Sequence, residues 1–409
     1  MRILLASIYP YTFFLLYLLI PFDEYIRALP NILLGVIVIL FPFIVKKNDF
    51  KKLGKIPVLL FLAFFVFLVF NALVFGRIEE DFYVLKKIII AIGLVILYIP
   101  VVDFKKIEKA IIFSAIAAML FSIVNVFLLN DISSFEFKNP IDILLLDLPY
   151  LGLLSVLSIL VSYNALKPGF HPNNQFYVAN IFLNILFIFL MGSRVGIVIL
   201  LAILLLRQFY GPRRKLRLLL SAGILTITSL AAFFATNNFV KSYMLETEIV
   251  GEARFKEKPL HWDFKTLVWD CGCDLVASEW SSLAGSGFRA TNIKLAACYN
   301  ERIEDKETKA WFESQNLNTH NQFFDLFLSS GLVGILFFIG ILLFLFKEHR
   351  NQFFSIASLL TIVLFGLNEN FLHRQIGAYF FGFVLIILLS NLKHTKTKVP
   401  EKKSGALEG

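Results

Sequence analysis

The chain lacks an internal repeat and any low-complexity tract. Many secondary transporters are built from repeated halves, so the missing repeat weighs against transport. No Walker-type phosphate loop and no Gly-rich dinucleotide fingerprint occurs. Charged residues are sparse at 17%, and cysteine is limited to three residues. What replaces charge is apolar surface. A soluble chain is about 45–50% apolar. This one reaches 58% with 46 phenylalanines and a mean hydropathy of +0.75.

That balance describes an all-α polytopic membrane protein. A spanning helix needs about 20 mostly apolar residues, and roughly twelve segments qualify: 3–21, 29–45, 56–75, 86–102, 108–130, 148–166, 176–192, 194–210, 216–236, 321–346, 352–368 and 373–392. The formal charge is +9, and its distribution alternates along the chain. Basic clusters at Lys46, Lys47, Lys51 and Lys52, at Arg213, Arg214 and Lys215, and at Lys393, Lys396 and Lys398 fall on one side, which is therefore the cytoplasm. The basic excess is a topology signal, and nucleic acid is not an expected partner. The first span reads as a retained signal-anchor. The expected organisation is helices one to nine over 1–236, a large periplasmic loop over 237–319, helices ten to twelve over 320–392, and a basic cytoplasmic tail over 393–409. Residues 404–409 read as an appended tag.

All three cysteines fall in the loop. Disulfides persist outside the cytoplasm, so Cys298 can pair with Cys271 or with Cys273, leaving one thiol over. A structural zinc site wants four ligands, and no His stands at a fitting spacing, so no metal is expected. Trp262, Trp269, Trp280 and Trp311 also lie in the loop. They suit sugar stacking, interfacial anchoring or a small core of the loop itself.

The run Asn318-Thr319-His320-Asn321-Gln322 stands where the loop enters the tenth span. Thr319 and Gln322 have capping-box spacing, which predicts a helix starting at Thr319 with His320 in its first turn. A helix N-terminus disfavours imidazolium and attracts anions. A neutral imidazole beside an anion site suits general-base chemistry on a phosphate-bearing substrate. Asp325, early in the same helix, is costly at that depth and needs a partner or water. Gly331 and Gly334 allow a neighbouring helix close approach.

Cations on the outer side run against the positive-inside trend. Arg194 stands in the tight hairpin after Gly192-Ser193, and Arg374 in the hairpin that begins at Asn368. Lys86 and Lys87 open the fourth span. Snorkelling to lipid headgroups is the plain reading. The functional one is a cationic cluster for phosphate, for which Arg is suited by its bidentate fork. Glu369 is placed to orient either Arg374 or His320. Gly285-Ser286-Gly287 followed by Phe288 and Arg289 reads as a plain turn or as an anion cradle of backbone N–H groups.

Taken together, these residues resemble the O-antigen ligase and polymerase superfamily. Asn318-Thr319-His320-Asn321 through Gly331 and Gly334 resembles its His-Asn…Gly-x-x-Gly segment. Gly285-Ser286-Gly287 resembles the preceding Gly-x-Gly element, and Ser193-Arg194 the Ser-Arg at a span start. Glu369 through Arg374-Gln375-Ile376-Gly377 resembles the Glu…Arg-Gln-x-Gly of Bacteroidetes-type members. The likeness is strongest from 176 to 390. It implies a GT-C-like membrane glycosyltransferase in the bacterial inner membrane with a periplasmic active site. The implied donor is a glycan on undecaprenyl pyrophosphate, and the acceptor is lipid A-core or a growing glycan. His320 takes the part of base or acceptor-positioning group, supported by Asn321, Glu369, Asp325, Gly285 and Gly287. Arg194 and Arg374 take the pyrophosphate, with Arg289 and Lys87 as further donors. No cofactor is implied, and no Asp-x-Asp motif stands on the outer side. The late loop and short tail favour a ligase; a polymerase of the same superfamily and a polyprenyl-linked glycan transporter are the alternatives.

Overall fold

The computed structural model describes residues 2–23, 25–26, 28–52, 56–101, 103–129, 146–210, 261–278, 283–303, 306, 309–310, 312 and 318–391. Among them only helices and short 3-10 turns occur. In chain order the helices are α1 (Arg2–Leu19), α2 (Ala28–Ile44), α3 (Ile56–Val74), α4 (Ile78–Tyr98), α5 (Lys105–Leu129), α6 (Leu148–Ala165), α7 (Asn174–Leu190), α8 (Arg194–Arg207), α9 (His261–Ser278), α10 (Phe288–Arg302), α11 (Gln322–His349), α12 (Phe353–Gly366) and α13 (Gln375–Asn391). Among the described residues, five segments are long and apolar enough to cross a membrane: Arg2–Phe22, Ile56–Val74, Lys105–Val124, Leu148–Ala165 and Gln322–His349. Shorter apolar helices such as Asn174–Leu190 and Phe353–Gly366 accompany them. Every expected span contains a helix except 216–236, which lies outside the described residues, as do the 393–409 tail and the 237–260 stretch.

Two boundaries depart from the sequence reading. The fourth helix begins at Ile78, well before the expected 86. Glu79, Glu80 and Asp81 occupy its first turn, where carboxylates complement the helix dipole. Lys86 and Lys87 therefore sit inside the helix and do not open it. The tenth expected span starts at Gln322, because Asn321 and not Thr319 is its cap. Asn321 Oδ1 accepts from the N–H groups of Phe323 and Phe324, the usual duty of an N-cap side chain.

Apolar burial holds the bundle together. α6 is enclosed, with every residue from Tyr150 to Ser162 buried. It packs on α5, α7, α8 and α12, while α13 packs on α4. Aromatic pairs cross between helices, including Phe61 with Phe381 at 5.4 Å and Tyr150 with Phe365 at 5.0 Å. Some polar side chains inside the apolar mass pair between helices. Asn180 on α7 donates to Ser158 and Ser162 on α6 at 2.9 and 2.8 Å.

α11 is broken at Gly331, whose φ of 73° and ψ of −173° leave the helical region. The break strands carbonyls that the next turn would have used. The 283–287 segment fills the gap. Ser286 N–H donates to Leu328 O at 2.8 Å, Gly287 N–H to Ser329 O at 2.9 Å, and Val333 N–H to Leu283 O at 3.4 Å. A Cβ on Gly285 would fall 2.4 Å from Gly331 N, and one on Gly331 would fall 2.3 Å from Leu283 O. Gly331 thus admits a loop backbone, where a neighbouring helix had been expected.

Helix α9 precedes that segment and α10 follows it, and the two pack on each other. Cys271 and Cys298 join them in a disulfide, and Cys273 is free and exposed. This resolves the open pairing in favour of Cys271. Val268, Leu295, Tyr299 and Phe312 form a small core beneath it. Trp269 stays at the surface; the side chain of Trp262, and Trp280 and Trp311, lie outside the described residues.

Candidate active site

Most of the chemistry singled out in the sequence collects at one end of the bundle. That end gathers the starts of α4, α6, α8, α11 and α13 and the ends of α3, α7 and α12. His320 stands just ahead of α11 and outside it. Its φ of 45° makes it the one non-glycine residue with positive φ among the described residues. Such a conformation persists only where surrounding contacts over-determine it. Here its N–H donates to Asn318 Oδ1 at 3.0 Å. On either side, Thr319 exchanges hydrogen bonds with Asn370 at 3.1–3.2 Å and Asn321 Nδ2 donates to Leu367 O at 3.1 Å.

Those contacts bring the 367–374 connection against the imidazole. Glu369 Oε2 lies 3.3 Å from His320 Nδ1, with the two side chains 14% and 20% exposed. Glu369 thus stands within reach of the imidazole. Gln322, the supposed second half of a capping box, instead accepts from Leu372 N–H through Oε1 at 2.9 Å. The N-terminal N–H groups of Phe323 and Phe324 are taken by Asn321. They are therefore not an open anion cradle, and the helix-terminus argument for His320 gives way to the carboxylate beside it.

The cations divide. Arg374 follows the 3-10 turn Phe371–His373. It pairs with Asp147, just ahead of α6, and its guanidinium lies 5.0 Å above the Tyr150 ring. Lys87 donates to the His373 carbonyl and lies within electrostatic range of Arg374. Glu369 is likewise within range of Tyr150. So Lys87, Arg374 and the His320–Glu369 pair are neighbours. Arg194 opens α8 with an exposed side chain. Its preceding residue, Ser193, donates to Leu148 O at 3.3 Å, next to the Asp147 that holds Arg374. Arg289 is exposed at the start of α10, and its backbone N–H is engaged by Asp81 Oδ1 at 3.1 Å. Its guanidinium interacts electrostatically with Tyr83, whose ring packs on His373.

The anion-cradle reading of Gly285-Ser286-Gly287 is overturned. Ser286 and Gly287 spend their N–H groups on the α11 break, and a carboxylate, Asp81, already occupies the start of α10. Gly285 admits the α11 backbone, and Gly287 leaves room for the Arg77 and Asp81 side chains. Arg77 secures the same loop, donating to Gly285 O at 2.9 Å and to Asn71 Oδ1 at 2.6 Å.

Asp325 has found its partner. Fully buried, its Oδ2 lies 2.8 Å from His373 Nε2. The sequence reading passed over His373, Asp147, Tyr150 and Arg77. His373 was in view, one residue before Arg374. Asp147 carried a signal as well, since Asp-Leu-Pro is a common helix opening.

Residues 179–339 match the family model described as O-Antigen ligase. No curated protein matches the chain. The matched span includes Arg194, Gly285, Arg289, His320 and Asp325. It ends before Glu369, His373 and Arg374 and begins after Lys87, so the structure draws into one place residues from inside and outside it.

Proposed function

From a chain that belongs to the O-antigen ligase and polymerase superfamily, we propose a GT-C-type glycosyltransferase that moves a glycan from undecaprenyl pyrophosphate to lipid A-core. A multi-pass membrane transferase acting on lipid-linked glycan follows from the family and the apolar helices. The particular donor and acceptor, the inner membrane and the periplasmic face are our reading. In that orientation the 237–319 segment is periplasmic and the 393–409 tail cytoplasmic.

One observation carries it: His320 is paired with Glu369 at the end of the bundle that also holds Lys87 and Arg374. Glu369 at Nδ1 favours a proton on that nitrogen and leaves Nε2 to accept one. Nε2 takes the proton of the acceptor hydroxyl. The hydroxyl oxygen bonds to the anomeric carbon from the face opposite the carrier. The carbon–oxygen bond to the diphosphate breaks, its electron pair leaves on phosphate, and the anomeric centre inverts. Lys87, Arg374, Arg194 and Arg289 offset the charge that develops there, where low dielectric makes such donors effective. The carrier supplies the energy, so no nucleotide enters the scheme, and the Arg and Lys donors take the charge-offsetting part that a metal would otherwise play. The prenyl tail lies along Phe-lined helix faces.

The test is genetic. Deleting the gene in its host and resolving surface glycolipid by gel should remove long glycan from lipid A-core while carrier-linked polymer accumulates. A wild-type copy restores the ladder. A His320→Ala copy, expressed to the same level, does not; loss of a general base costs about 10²–10⁴-fold in rate. Core capped by a single repeat unit would make the enzyme a polymerase. An unchanged ladder would sink the proposal.

A further inference from the structure

The Asp325–His373 pair has no part in the chemistry above, yet it is built at high cost. A carboxylate at that depth is unfavourable, and an apolar pair of similar volume would pack as well or better. Asp325 is fully buried and its Oδ1 has no hydrogen-bond partner among the described residues. The bond to His373 is thus what ties the carboxylate. His373 is held edge-on by the rings of Tyr83 at 5.6 Å and Phe288 at 5.9 Å. What distinguishes the pair is its connections. Asp325 N–H donates to Asn321 O at 3.0 Å, and Asn321 adjoins His320. The His373 carbonyl takes the Lys87 ammonium, and the next residue is Arg374. This buried directional bond therefore lies between the base on one side and both inner cations on the other, alongside those of Thr319 to Asn370 and Gln322 to Leu372.

We infer that Asp325 and His373 are positioning residues that set the spacing between the acceptor-activating His320 and the diphosphate-binding Lys87 and Arg374. This rests on the functional reading above. Neither residue touches substrate. The pair ties the start of α11 to the Phe371–His373 turn in one register, which packing between smooth apolar faces would leave less defined. The reaction joins two bound molecules, so a slip of the base against the cations misaligns attack without preventing either molecule from binding.

The experiment uses the full chain in lipid nanodiscs, with undecaprenyl-diphosphate-linked glycan as donor and lipid A-core as acceptor. Three quantities are read: glycan transferred to acceptor, glycan released to water, and donor affinity. His373→Leu should lower transfer per folded molecule about 100-fold, the scale of a 1 Å misplacement. Donor affinity should stay within about threefold, and release to water should rise relative to transfer, because water needs no register. His373→Gln keeps an N–H for Asp325 and should recover at least about tenfold of the loss. It also guards against a Leu variant that fails to fold. Arg374→Ala should instead weaken donor affinity. Transfer and release falling in step with the folded fraction would overturn the positioning role, and so would a collapse of donor affinity in His373→Gln. A wild-type protein that consumes no lipid-diphosphate donor, with Arg374→Ala binding it no worse, would overturn the functional reading and this inference with it.

Discussion

Two tight hairpins at the same end of the bundle each present an arginine, and they are built in opposite ways. The 367–374 connection is fastened from several helices. Gln322 holds Leu372 N–H, Thr319 holds Asn370, Asp325 holds His373, and Phe371 and Leu372 are buried. The 191–194 hairpin turns on Gly192 with φ 62° and is secured chiefly by Ser193, whose Oγ accepts from Gly196 N–H at 3.4 Å and donates to Leu148 O at 3.3 Å. Arg374 is half-buried and arrives in a fixed register; Arg194 is exposed. A cation that must align with a base benefits from the first construction. One that only gathers an anionic headgroup is served by the second.

The same substitution at Gly377, in α13 where it packs on the first hairpin, and at Gly192, within the second, should separate them most widely. A Cβ on Gly377 would fall 2.0 Å from Phe371 O. Both sides of that contact are backbone, so the turn must move. Gly377→Ala should cost about 3 kcal/mol of stability by overpacking and reduce transfer about 100-fold. Gly192→Ala meets nothing within 4 Å, so only the positive φ resists it, at about 1–2 kcal/mol. Transfer should stay within about twofold, as for a surface change away from special features. Thermal unfolding in detergent and glycolipid ladders in the host read the two effects. Equal loss of transfer in both would break the distinction.

The two hairpins looked alike in sequence, and the reason is physical. Hydropathy and charge alternation, which are local, placed the described apolar helices, whereas α9 and α10 lie in the stretch read only as a loop. The gathering of His320, Glu369, Arg374 and Lys87 at one end followed from topology, and Ser-Arg and His-Asn marked positions at helix starts. What fastens a turn comes from far along the chain, and no local pattern carries it. Gln322 looked like half of a capping box because its spacing from Thr319 fits, while the acceptor it offers goes to Leu372. Gly285-Ser286-Gly287 has the composition of an anion cradle, and only the break at Gly331 reveals where its N–H groups go. His373 was legible as a residue and not as a partner of Asp325, since 48 positions separate them.

A change confined to one hydrogen bond sharpens the contrast. Gln322→Ala leaves the buried Leu372 N–H without an acceptor, which costs about 1–3 kcal/mol. Hydrogen exchange at the Leu372 amide should quicken, and transfer should fall about tenfold as Arg374 loses its register. Normal transfer with a quickened amide would mean that the turn is fastened for stability alone.

Ser193→Ala is the matching change in the open hairpin and should have the smallest effect. It removes a cap worth about 1 kcal/mol together with the tie to Leu148. Both bonds are long, and α8 stays seated on α6 where Gly152 and Gly196 bring the backbones together. Arg194 can then shift slightly and still meet a flexible diphosphate, because its guanidinium reaches from an exposed position. The unfolding midpoint should fall modestly while transfer stays within about twofold. A loss of transfer as deep as that of Gln322→Ala would mean that Arg194, like Arg374, must be held in register. The exposed hairpin would then be as demanding as the buried one.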